Sequence, residues 1–93
     1  MSKLSTLAMV LAVTGLAGEA WANAAAGNAC AAKLTPDAKT IYVAVVAAGP
    51  TLENLLSVVE EQTKSLAMSG SIARLQARTN AVAAGQCVRA NLQ

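Results

Sequence analysis

Three stretches beyond residue 34 return apolar residues every three or four positions, the spacing of one helix face. In the first, Ala38, Ile41, Val45 and Ala48 line up with Tyr42 beside them, and Lys39 and Thr40 fall elsewhere on the wheel. Thr35 can cap this helix, Pro36 suits its first position and Asp37 complements its positive end. Gly49 and Pro50 stop it. Val43 and Val46 widen its apolar surface, so it reads as the most buried of the three. In the second stretch Leu52, Leu55, Leu56, Val59, Thr63 and Leu66 form one stripe, behind a Thr51 cap and before a Ser69–Gly70 stop. In the third, Ile72, Leu75, Thr79, Val82, Ala83 and Gln86 share a stripe behind a Ser71 cap, with Cys87 at its edge. Gly85 interrupts that pattern at a cost of about 1 kcal/mol relative to alanine, and marks a bend or a close approach. The predicted helices cover 36–48, 51–69 and 71–90, preceded by a short turn through Ala29 to Leu34 that Asn28 caps. The expected fold is all-α: a small three-helix bundle with a short N-terminal helical turn. Its connections are short enough to make consecutive helices antiparallel or steeply angled neighbours.

The front of the chain follows a different pattern. Met1, Ser2 and Lys3 make a short positive start, and Leu4 to Gly18 is uncharged and mostly apolar. Ala20, Trp21 and Ala22 then place small residues at the two positions a signal peptidase reads. This is the plan of a secretory signal, with cleavage expected after Ala22, or after Ala24 as the near alternative. The apolar run is shorter than the ~20 residues a membrane-spanning helix needs, so no stable anchor is expected after cleavage. A lipid anchor on Cys30 is disfavoured, because Gly27, Asn28 and Ala29 lack the usual apolar residue and Cys30 lies far beyond the run. The chain thus divides into a removed signal (1–22), a flexible arm (23–29) built of Asn, Ala and Gly, and one helical domain (30–93).

Export changes how the cysteines read. With the signal set aside, about 70 residues remain, and a core that small rarely supplies more than ~3–5 kcal/mol. The chain has two cysteines, Cys30 and Cys87, and compartments outside the cytoplasm are oxidising. A disulfide between them would close nearly the whole domain into one loop and contribute about 4 kcal/mol. The alternatives are an intermolecular bridge or a redox couple; the latter is disfavoured, since such pairs commonly have only two residues between them at a helix start.

Charge and side-chain chemistry narrow the function classes. Lys33, Lys39, Lys64, Arg74, Arg78 and Arg89 stand against Asp37, Glu53, Glu60 and Glu61. The balance is too slight for a nucleic-acid binder, and Tyr42 is the only aromatic outside the signal. There is no histidine to ligate a metal or act as a base. Glu60 and Glu61 are adjacent on a helix, about 100° apart, and do not converge on one proton or ion. No catalytic residue, metal or cofactor is therefore expected. Arg74, Arg78 and Arg89 fall together on the predicted third helix, a basic face that would suit lipid head groups or an acidic protein surface.

Three segments carry a resemblance: Ala29 to Asp37 around Cys30, Thr63 to Gly70, and Ala83 to Cys87. Together they resemble small secreted two-cysteine helical proteins of proteobacteria, for which no function is assigned. The resemblance covers nearly all of the chain after the signal and implies export and the cysteine pairing, but no catalytic residue. The expected function is that of a periplasmic or secreted envelope protein, non-enzymatic, acting through contacts with a protein partner. Val58 and Met68, off the core stripe of the second helix, would help form an apolar patch for such contacts. Binding to an anionic surface is the second reading. A role like that of periplasmic stress chaperones is the third, by analogy of architecture. Few carboxylates are available for an acid-driven switch of the kind such chaperones use.

Overall fold

The computed structural model describes residues 23–93. Residues 1–22, read above as an export signal, lie outside the described residues. Among the described residues there are four helices and no strand: α1 over residues 23–31, α2 Pro36–Ala47, α3 Leu55–Met68 and α4 Ala77–Leu92. The all-α class is as expected, and Cys30 and Cys87 form the disulfide, with their Cα atoms 5.3 Å apart.

The first difference lies at the N-terminal end. Residues 23–29, expected as an arm, and the turn expected after them are instead the helix α1 with a short turn at 32–34. Asn28 does not cap; it lies inside α1, and its Oδ1 accepts a hydrogen bond from the Tyr42 hydroxyl (3.1 Å). Gly27 is buried, and a Cβ there would come within 2.5 Å of Asn91 Cβ and 2.7 Å of the Tyr42 oxygen. The glycine thus lets α1 settle directly on α4 and α2.

The first predicted helix is closely matched by α2. Its start is capped by the Thr35 hydroxyl, which accepts from Ala38 N at 3.2 Å, and Pro36 begins the helix. Its end is closed by Gly49, at a φ of 66°, whose N–H donates to Val46 O (3.0 Å). Pro50 follows and has no N–H to add a second closing bond. Ala38, Ile41, Tyr42 and Val45 are its buried residues, as the periodicity requires.

The helix α3 begins later than predicted, at Leu55. Thr51 and Asn54 bond reciprocally, Thr51 N to Asn54 Oδ1 (2.7 Å) and Asn54 N to Thr51 Oγ1 (3.3 Å). This is the reciprocal arrangement of a capping box, with 52–54 as a turn leading into the helix. At the far end Gly70, with φ 79°, donates to Ala67 O while Ser71 N donates to Leu66 O, a Schellman closure.

The larger correction concerns α4. The predicted helix from 71 is replaced over Ser71–Gln76 by an irregular segment. Asp37 holds that segment to the start of α2 by accepting from Ala73 N at 2.9 Å, and Ile72 turns inward. Because α4 begins only at Ala77, the stripe drawn through Ile72 and Leu75 has the wrong phase. The residues that α4 buries are Asn80, Ala84, Cys87 and Val88. Leu75 is 97% exposed and Val82 58% exposed, and Thr79 and Gln86 also face outward.

The three long helices pack against one another in every pairing, α2 on α4 most extensively. Their shared core includes Ile41, Val45, Leu55, Val59, Ile72, Ala84 and Val88, with Ala31 and Cys87 bringing α1 onto it.

Candidate functional site

The arginines do not form the continuous stripe expected of them. Arg74 lies in the irregular segment, and its Nε donates to Ala67 O near the end of α3 (3.4 Å). Arg78 and Arg89 lie on α4, eleven positions apart, which is three turns and about 16 Å along the axis. They share one outward face, and Val82 lies between them on that face.

Across from this face runs the α3 edge that bears Leu56. Between the two helices lies a shallow groove of about 320 Å³. Its floor is formed by Leu55, Val59, Ala81 and Gly85, and its walls by Leu56 on one side and Val82 on the other; the polar side chains of Gln86 and Arg89 also line it. Leu56 is 72% exposed, and Leu52, one turn before it, is also exposed. The sequence had placed Leu52, Leu56 and Val82 in core stripes, and the structure turns all three to the surface. Of the two residues expected to form an apolar patch, Met68 is exposed, whereas Val58 is partly buried against the core. A signal for the groove was present in Cys87. A cysteine that must reach Cys30 has to point inward, which places residues 80, 84 and 88 inward as well and turns 78, 82 and 89 outward.

Gly85 gives the groove its depth. It lies within the continuous helix α4 and is not forced by a close approach: a Cβ there would meet Val59 Cγ2 at 3.6 Å, an ordinary contact. Nothing inside the described chain requires the missing side chain.

Several polar groups outside the groove are engaged in structure. The Tyr42 hydroxyl donates to Asn28 and accepts from Asn91 Nδ2 at 3.1 Å, which joins α1, α2 and α4. The Thr35 hydroxyl donates to Asn80 Oδ1 (2.8 Å) while it caps α2. Glu60 and Glu61 lie at exposed positions of α3. Among the described residues no group of three or more histidine, cysteine, aspartate or glutamate side chains is placed to hold a metal ion. Among the same residues no helix is long and apolar enough to cross a membrane. No protein-family model, no curated protein and no solved structure matches the chain.

Proposed function

We propose that the chain is a small exported protein of the cell envelope, periplasmic or secreted, that acts through protein contacts rather than by catalysis. The observation that carries this reading is the α3–α4 groove, where Leu56 and Val82 stand exposed over an apolar floor. Solvent-facing leucine and valine side chains grouped around one concavity suit a docking surface better than a solvated face. The Cys30–Cys87 disulfide and the resemblance to small secreted two-cysteine helical proteins support the compartment.

Binding to an anionic surface is the second reading. It rests on Arg78 and Arg89, which share the outward face of α4; Arg74, engaged with α3, contributes little to it. A chaperone-like role would use the same apolar groove, and no residue beyond those named favours it.

Photo-crosslinking in the producing cell tests the leading reading. A crosslinking residue at position 56 or 82 is expected to give discrete protein adducts, and one at exposed Lys39 on α2 is not. Equal labelling at all three positions, or none, would refute it. Adducts to lipid alone would favour the anionic surface.

A further inference from the structure

We infer that the end of the bundle where α4 begins is a tip that docks on the surface of an anionic phospholipid membrane. The inference takes up the second reading above, moves it from the long face of α4 to this end, and does not depend on the groove. Three long helices meet at the tip. Asp37 in the first turn of α2 accepts from Ala73 N, and Thr35 before it donates to Asn80 of α4. Arg74 Nε donates to Ala67 O, which holds the same irregular segment to the end of α3.

Cations gather around these bonds. Lys33, Lys39, Arg74 and Arg78 are exposed, and each lies within two positions of a residue that makes one of them. The carboxylate among them is that of Asp37, which is half-buried and bonded to Ala73 N. Lys64 is set back one turn along α3, beside Glu60 and Glu61. Those two glutamates lie about 10–12 Å behind the end of α3, and Glu53 precedes its far end. The charge thus runs from basic at the tip to acidic along α3. A negative surface attracts this end and repels the α3 flank, so the field orients the bundle end-on.

The same tip projects apolar side chains. Leu75, in the turn before α4, is 97% exposed, and Met68, the last residue of α3, is 69% exposed. Each is the next residue after one partner of the Arg74–Ala67 bond, so the two flank one contact. Ile72 is buried in the core and fixes the segment that presents Leu75. A leucine that exposed stands out from the surface, and a protein partner would have to offer it a socket. Acyl chains close around any projecting apolar side chain while lipid phosphates meet the cations beside it. Among the described residues no helix is long and apolar enough to cross a membrane, so the attachment is peripheral. It leaves the α3–α4 groove uncovered, because the groove lies farther along both helices.

The test is co-sedimentation of the oxidised protein, purified from the cell envelope, with vesicles of phosphatidylcholine alone or with about a third phosphatidylglycerol. Binding is expected to the anionic vesicles only, and to fall as salt rises. Arg74→Glu with Arg78→Glu, and separately Lys33→Glu with Lys39→Glu, should each weaken it about tenfold or more. Leu75→Ser should weaken it about tenfold. Circular dichroism should show the helices retained in each. Arg89→Glu should leave binding within about twofold, since position 89 is farther from the tip than the ~10 Å screening length at 0.1 M salt. Leu75→Trp should be quenched by brominated phosphatidylglycerol and Val82→Trp should not, each read against the unsubstituted protein. No binding to anionic vesicles, or equal binding to both kinds, overturns the inference. Quenching at 82 without quenching at 75, or loss of binding in Arg89→Glu alone, also overturns it and returns the anionic reading to the face of α4. A crosslinking residue at position 75 that gives adducts to an acidic protein in the cell, and none to lipid, overturns it in favour of that protein. Adducts at 56 and 82 decide the groove reading separately.

Discussion

Two threonines, the exposed Thr35 and the buried Thr63, end up in opposite circumstances. Thr35 uses its hydroxyl fully, accepting from Ala38 N and donating to Asn80. The cap was legible because threonine, proline and aspartate in succession start a helix through local geometry alone. The bond to Asn80 was not, because 45 residues separate the two. Thr63 lies in the buried stripe of α3 beside Leu55 and Val59, and its Oγ1 has no hydrogen-bond partner among the described residues. Periodicity placed it inward correctly but says nothing about who meets its hydroxyl. A buried hydroxyl without a partner costs about 1–3 kcal/mol, and valine has nearly the same shape. Thr63→Val is therefore expected to stabilise the fold by about 1 kcal/mol, read as a higher urea midpoint with unchanged slope. A lower midpoint would show that the hydroxyl finds a water or a backbone carbonyl.

At the level of elements, α2 was readable almost to the residue because its start and stop signals are adjacent to its apolar pattern. α1 was not. Its residues 23–31 are alanine, asparagine, glycine and cysteine, which carry almost no periodicity, and its helix is held by what it touches. The contact at Gly27 is the tightest of these, so Gly27→Ala forces the Asn91 backbone or the Tyr42 side chain to move. Overpacking of this kind costs about 1–3 kcal/mol. The variant is expected to lose that much stability and to show faster amide exchange in α1, measured by mass spectrometry, while α3 is unchanged. Equal exchange in α1 would mean that it does not rest on α4 at Gly27. The phase of α4 failed for a different reason. Ile72 is buried and Leu75 follows three positions later, so together they imitate the start of a helix face. The chain between them is not helical, because Asp37 and the Gly70 closure hold it in another path.

Across the whole molecule, the disulfide joins residues 57 apart and ties α1 to α4. Closing a loop of that length restricts the unfolded chain by about 4 kcal/mol in the chain-entropy model. The folded core of this small domain is of similar worth, about 3–5 kcal/mol. Reduction is therefore expected to lower the melting temperature by roughly 15–30 °C. The comparison should be made by calorimetry with and without a dithiol, on protein whose intact mass confirms the state of the bond. A reduced protein that melts within a few degrees of the oxidised one would show that the helices hold without it.

Read alone, the sequence established the helical class, the caps of α2, the glycine stops after α2 and α3, and the cysteine pair. Each of these follows from neighbouring residues, or from there being only two cysteines to join. The tertiary structure decided the path of residues 71–76, the phase of α4, the docking of α1 and the exposure of Leu56 and Val82. Those depend on contacts between residues far apart in the chain: Asp37 with Ala73, Cys30 with Cys87, Asn28 and Asn91 with Tyr42. A stripe on a helical wheel shows that a helix has an apolar side. Which part of that side the neighbouring helices cover is set by packing in three dimensions, and here the packing leaves the α3–α4 edge open.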